Sequence, residues 1–302
     1  MKFQGVLFFP VTPFAADGSL DEERLAQHID SGVAAGAGGV FVACGTGEFH
    51  ALTPDEIERA TRVAVDTTAG RVPVLAAAGG PTPVARDQAA RVAQAGADGV
   101  LLLPPYLVTA PQQGLVRYVE EVTAASELPV IFYQRGTARL TEETAAEIAA
   151  LPRVVGLKDG LGDIERMHRI VRAVRAVPGT EDFQFFNGLP TAEMTAPAYQ
   201  GIGVPLYSSA VFAFAPEIAL AFHRALAAGD RPLLGTLLDE FYGPLVQLRD
   251  EVPGYAVALV KAGVALRGLA VGGVRAPLVD PAPEHIARLS KLIDHGLEVV
   301  GA

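Results

Sequence analysis

The residue in this chain that most readily suggests chemistry is Lys158. It follows the apolar segment Val154-Val155-Gly156-Leu157 and precedes a turn-forming Asp159-Gly160 pair, which places it at the end of a predicted buried strand. A buried ammonium is costly unless paired, and burial lowers the pKa of an amine. The neutral amine is then a nucleophile toward carbonyls. The alternative is a lysine that carries its ammonium past the strand end to solvent, so its neighbours decide. Other reactive side chains close apolar runs in the same way: Thr46 within Cys44-Gly45-Thr46-Gly47-Glu48, Tyr106 after Pro105, Tyr133, and Ser208-Ser209 after Tyr207. Taken together they suit Schiff-base chemistry on a ketone. The amine adds to the carbonyl and the iminium becomes an electron sink. A phenol and a Thr hydroxyl can shuttle the protons. A Gly-rich turn can hold a neighbouring carboxylate on backbone N–H groups.

These residues need a scaffold that brings strand ends together. Apolar runs predict strands over residues 5–12, 39–43, 72–77, 99–103, 129–133, 154–157, 183–186 and 203–207. Helical patterns alternate with them. Ser19 or Asp21 can cap the first helix; Thr53-Pro54-Asp55-Glu56, Thr82-Pro83, Thr141-Glu142-Glu143 and Asp163 open later ones. A short helix is expected over 191–199. Eight strand-plus-helix units in strict alternation predict an α/β fold, a parallel (β/α)8 TIM barrel. A doubly wound sheet competes, but it needs fewer strands, and no Gly-x-Gly-x-x-Gly opens the first helix. Residues 1–228 read as the barrel catalytic domain. Residues 229–302 read as a C-terminal helical extension packed on it, with helices over 233–249, 255–269 and 283–299. Barrel enzymes carry their active sites at the carboxyl ends of the strands, where all the residues above fall.

Composition narrows the function classes. The chain has 302 residues, half of them hydrophobic, and a net charge of −10. That acidity leaves no electrostatic footprint for nucleic acid, so an anionic substrate must be met by a few placed cations. The single cysteine, Cys44, excludes an intrachain disulfide and a cysteine metal cluster, and reads as a small buried filler. The six histidines are scattered without ligand spacing, so a metal site is not expected, and Schiff-base chemistry, with the iminium as the electron sink, calls for no other cofactor. No Ser-centred nucleophile elbow is present. No signal-like segment or run of 18 apolar residues occurs, so a cytoplasmic protein without membrane contact is expected.

Nearly end to end, the chain resembles the dihydrodipicolinate synthase / N-acetylneuraminate lyase family of Schiff-base aldolases and lyases. Pro10-Val11-Thr12-Pro13-Phe14, Gly45-Thr46-Gly47-Glu48, Pro105-Tyr106, Tyr133, Leu157-Lys158-Asp159, Lys261-Ala262 and Pro277-Leu278 carry the resemblance in order. It implies that Lys158 forms the Schiff base and Tyr133 transfers protons. It implies that Thr46 with Gly45 and Gly47 binds the keto-acid carboxylate, and that Tyr106 completes a proton relay at a subunit boundary. A homo-oligomer, a dimer of dimers, is implied as well. The chain also departs from the synthase pattern. Gly45 stands where synthases usually have a hydroxyl residue, and Tyr133 is followed by Arg135 and Arg139 two and six positions on.

Three details are similar to the branch of that family that dehydrates and decarboxylates 5-dehydro-4-deoxyglucarate. They are Cys44-Gly45-Thr46-Gly47-Glu48-Phe49, Tyr133-x-Arg135, and Pro205-Leu206-Tyr207-Ser208-Ser209-Ala210-Val211-Phe212. The implied substrate is therefore a small keto-deoxy sugar diacid. Ser208, Ser209 and Gly188 become candidates for contacting it, with Arg135 or Arg139 for a carboxylate. The nearest rival is a pyruvate-dependent aldolase or synthase using the same lysine. A non-enzymatic sugar-acid sensor is the reading from a different class.

Overall fold

The computed structural model describes residues 1–302. The apolar runs pair in chain order as eight parallel strands: β1 (Leu7–Phe8), β2 (Gly39–Val42), β3 (Val74–Ala78), β4 (Gly99–Leu102), β5 (Val130–Gln134), β6 (Val154–Asp159), β7 (Gln184–Asn187) and β8 (Leu206–Ser209). β8 pairs back onto β1, and the sheet closes. The fold is the (β/α)8 TIM barrel. Its helices are α1 (Glu22–Ala34), α2 (Pro54–Thr68), α3 (Thr82–Gln94), α4 (Gln112–Thr123), α5 (Glu142–Ala149), α6 (Ile164–Arg175), α7 (Ala196–Gly201) and α8 (Pro216–Ala228).

Local chemistry starts these helices where side chains satisfy orphan N–H groups. Asp21, Thr141 and Asp163 each accept from the third helical amide. Thr53 and Glu56 form a reciprocal capping box ahead of Pro54.

Three elements differ from the sequence expectation. The β1 ladder is only two residues long, because Pro10 has no N–H to donate. The expected helix over 191–199 is split into a 3-10 turn, Ala192–Met194, and α7, because Pro197 is tolerated only in a first turn. β8 lies later than 203–207, since pairing puts Ser208 opposite Leu7 and Ser209 opposite Phe8. Both serines are therefore strand residues.

Beyond Ala228, α9 (Arg231–Leu237) runs through a five-residue π-helical segment, Leu238–Tyr242, into α10 (Gly243–Asp250). α11 (Tyr255–Leu266) and α12 (Pro283–Val300) complete the chain. α12 packs on α8, the π-helical segment and α11. Leu234, Phe241, Leu289 and Ile293 join the same continuous apolar core as the barrel residues. No helix is long and apolar enough to cross a membrane.

Candidate active site

The carboxyl ends of the strands surround a cavity of about 360 Å³, a size that suits a small ligand. Lys158 is at its base, inward-facing on β6 beside Tyr133 of β5 and Phe186 of β7. It is only 6% exposed. Its Nζ lies 4.2 Å from the Tyr133 ring centroid and 4.5 Å from that of Phe9, and no carboxylate pairs with it. Burial among these rings lowers its pKa to about 7, and the Arg135 guanidinium pushes the same way. Cys44 does not restore the proton, because burial raises the thiol to about 12 and keeps it neutral. The amine is thus substantially unprotonated near neutrality.

The Tyr133 hydroxyl donates to the Gly188 carbonyl at 2.6 Å, and burial raises its pKa to about 12. It stays a phenol wherever the lysine is reactive. Two glycines make this packing possible. A Cβ on Gly188 would sit 2.8 Å from Cγ and Cε of Lys158, and one on Gly160 would sit 2.7 Å from the Tyr133 hydroxyl.

Strand alternation sends the residues after these outward, where buried polar contacts fix them. Asp159 accepts from Gln134 Nε2 at 2.8 Å, from the amides of Leu161 and Gly162, and from the Tyr199 hydroxyl. Lys158 is therefore held by a neighbour locked on the opposite face of the sheet. Ser208 faces the cavity, whereas Ser209 is fully buried behind it. The Ser209 hydroxyl donates to Glu193 and accepts from the Phe212 amide. Burial raises Glu193 to about 7.

The strand-two loop is set by two non-glycine residues in left-handed backbone, Ala43 (φ 55°) and Glu48 (φ 59°). Between them the amides of Gly45, Thr46 and Gly47 donate to no other group of the chain, which leaves N–H donors suited to an anion. Thr46 lines the cavity beside Gly45. Arg135 Nη1 lies 3.7 Å from where a Cβ on Gly45 would sit, so the guanidinium reaches across the mouth to this loop.

The structure thus brings Lys158, Tyr133, Thr46, Gly45, Tyr106, Arg135, Ser208 and Gly188 around one cavity. Three expected contacts lie outside its wall. Ser209 faces outward because two consecutive strand residues cannot share a face. Gly47 is turned into the protein, its carbonyl accepting from the Thr12 hydroxyl at 2.6 Å. Arg139 is carried away by the turn after Arg135, where its Nε donates to the Gly136 carbonyl.

Sequence reasoning missed His50 and Phe9, and it missed Gly254, Ala256, Val257 and Leu278 of the extension, which complete the wall. His50 follows the Gly-Thr-Gly-Glu run by two residues, which was a usable signal. Nothing in the extension's apolar pattern marks it as cavity wall. No three His, Cys, Asp or Glu side chains converge as a metal site would require.

Comparison with known proteins identifies the family. Residues 2–296 match the profile of the "Dihydrodipicolinate synthetase family". A Streptomyces coelicolor protein named "Probable 5-dehydro-4-deoxyglucarate dehydratase 1" is 58% identical over 296 residues, which is 98% of this chain and 94% of that one. An Azotobacter vinelandii protein named "Probable 5-dehydro-4-deoxyglucarate dehydratase" is 47% identical, over 96% of this chain and 94% of its own. Among solved structures, dihydrodipicolinate synthase from Oceanobacillus iheyensis superposes with a TM-score of 0.89 at 25% identity, covering 97% of this chain and 96% of that one. A prophage protein of the dihydrodipicolinic acid synthase family from E. coli K12, solved in complex with pyruvate, gives 0.84 at 26% identity, covering 96% and 98%. With a match over nearly its whole length, this chain belongs to the dihydrodipicolinate synthetase family.

Proposed function

We propose that this protein is a Schiff-base lyase that dehydrates and decarboxylates 5-dehydro-4-deoxyglucarate to 2,5-dioxopentanoate, CO2 and water. The observation that carries the chemistry is the buried, unpaired Lys158 amine beside the Tyr133 phenol. The relatives at 47% and 58% identity that bear the dehydratase name support the choice of reaction.

In this reading the Gly45–Thr46 loop binds the carboxylate next to the ketone and Lys158 condenses with the carbonyl. Tyr133 moves the protons that carbinolamine formation and dehydration require. Loss of a proton from the adjacent CH2 gives an enamine, which expels the β-hydroxyl as water. The extended iminium accepts the electron pair released when the distal carboxylate leaves as CO2. Protonation at carbon and hydrolysis free the aldehyde product and the lysine. The iminium is the electron sink throughout, so the chemistry asks for no metal or organic cofactor.

Arg135 and Ser208 face the cavity and are our choices for the distal carboxylate and the departing hydroxyl. Arg139 and Ser209 are not among them, because each faces away from it. Cytoplasmic sugar-diacid breakdown and a homo-oligomer built as a dimer of dimers go with this proposal. Exposed Tyr106, Leu107 and Val108 at the mouth are consistent with a subunit contact there.

Product analysis tests the reaction. With 5-dehydro-4-deoxyglucarate, one CO2 per substrate and no pyruvate is expected; pyruvate without CO2 would make this an aldolase. A pH series tests the amine. Only the neutral form attacks, so the rate of imine formation should rise with pH, level off, and show a midpoint near the lysine's pKa of about 7. A midpoint near the ordinary lysine value of 10.5 would contradict a neutral resting amine.

A further inference from the structure

The strand-two loop is gripped from behind by the C-terminal extension. Glu48, fully buried, accepts from Lys261 Nζ of α11 at 2.7 Å and from the Arg275 amide at 2.8 Å. Lys261 is 2% exposed and also donates to the Gly273 carbonyl at 2.6 Å. The Arg275 guanidinium bonds the Ala51 carbonyl at 2.8 Å and reaches both carboxylate oxygens of Glu56, so it spans the end of this loop and the start of α2. The Phe14 ring lies under both cations, 4.1 Å from Lys261 Nζ and 4.0 Å from the Arg275 guanidinium.

Glu48 is the residue that ends the loop in left-handed backbone. A non-glycine residue holds that conformation only where its surroundings over-determine it. An ion pair buried this deeply is weak evidence for added stability, because desolvation offsets its Coulomb energy. It is better suited to fixing a geometry, and the geometry it fixes is that of the free amides of Gly45 and Thr46, the two loop residues that line the cavity.

We propose that Glu48 and Lys261 are positioning residues for carboxylate recognition: the pair holds the strand-two loop so that its amides receive the carboxylate beside the reacting ketone. This makes the extension part of the substrate site as well as its wall. The inference rests on the reading that the loop binds that carboxylate, and the test separates the two.

Sodium pyruvate and acetone present the same methyl ketone with and without a carboxylate. Their rates of borohydride trapping on the full-length protein report loop and amine separately. Wild type is expected to favour pyruvate by at least about tenfold, the worth of one good charge-assisted hydrogen bond. Absence of that preference would overturn the loop reading, and this proposal with it. In Lys261→Met, and in the double variant Glu48→Gln/Lys261→Met, which leaves no unpaired buried charge, the preference should fall about tenfold or more. Acetone trapping should change less than about threefold, since Lys158 is untouched. A retained preference in either folded variant would overturn the proposal, and so would an equal loss with both ketones. Should neither variant fold, hydrogen exchange on wild type decides. Pyruvate should slow exchange at residues 45–49 and 273–275 together, and protection confined to 45–49 would count against the proposal.

Discussion

Replacing Lys158 with alanine is expected to lower turnover of the sugar diacid by at least about 10⁴-fold, the scale on which loss of a covalent nucleophile is felt. No other group can replace it. Lys261 is engaged by Glu48 and Gly273, and the remaining lysines, Lys2 and Lys291, are exposed away from the cavity. Every later step runs through the iminium, so dehydration and decarboxylation should disappear together. The fold should tolerate the change. Truncation removes a stem that packs on Phe9 and Tyr133, but it also removes an amine whose protonated form is disfavoured by burial. Opposing terms of about 1–3 kcal/mol each should leave the unfolding temperature within a few degrees of wild type. Turnover assays with thermal unfolding check both halves. Residual activity within about 100-fold of wild type would mean that Lys158 is not the nucleophile.

Tyr133→Phe is the second large expected effect. The phenol sits beside the amine with its hydroxyl on the Gly188 carbonyl, and it stays protonated across the neutral range. It can give a proton to the departing carbinolamine oxygen and take one back, which such groups accelerate by about 10²–10⁴-fold. The loss should therefore fall on kcat, with KM changed little, because the ring and the carboxylate-binding loop remain. The stability cost should be about 1 kcal/mol for the stranded Gly188 carbonyl. A KM effect with unchanged kcat would assign the hydroxyl to binding instead.

Why these two residues could be found without coordinates is a matter of strand geometry. A run such as Val154–Leu157 declares a buried strand, the alternation of eight such runs with helices declares the barrel, and the barrel gathers its strand ends. Lys158, Tyr133 and Thr46 follow from that chain of steps, whereas Arg135 entered only through the family resemblance, as an alternative to Arg139. Ser208 and Ser209 show its limit. Apolar spacing does not reveal the ladder register to β1, and a shift of one residue decides which serine meets substrate.

The supports were less visible still. Glu48 and Lys261 are separated by 213 positions, and Asp159 and Tyr199 by 40. Periodicity says which face of an element is apolar, but not which distant element will lie on it. The extension's share of the cavity wall was hidden for the same reason. Gly254, Ala256 and Leu278 are small or apolar residues without chemistry of their own.

The central claim is a covalent imine on one lysine, and the chain makes it directly testable because it has only four: Lys2, Lys158, Lys261 and Lys291. Wild-type protein should be treated with borohydride in the presence of the keto-deoxy diacid, digested and mapped by mass spectrometry. A single reduced keto-acid adduct on the peptide containing Lys158, absent without substrate, is the expected result. Turnover with no adduct, or with the adduct on another lysine, would contradict the account.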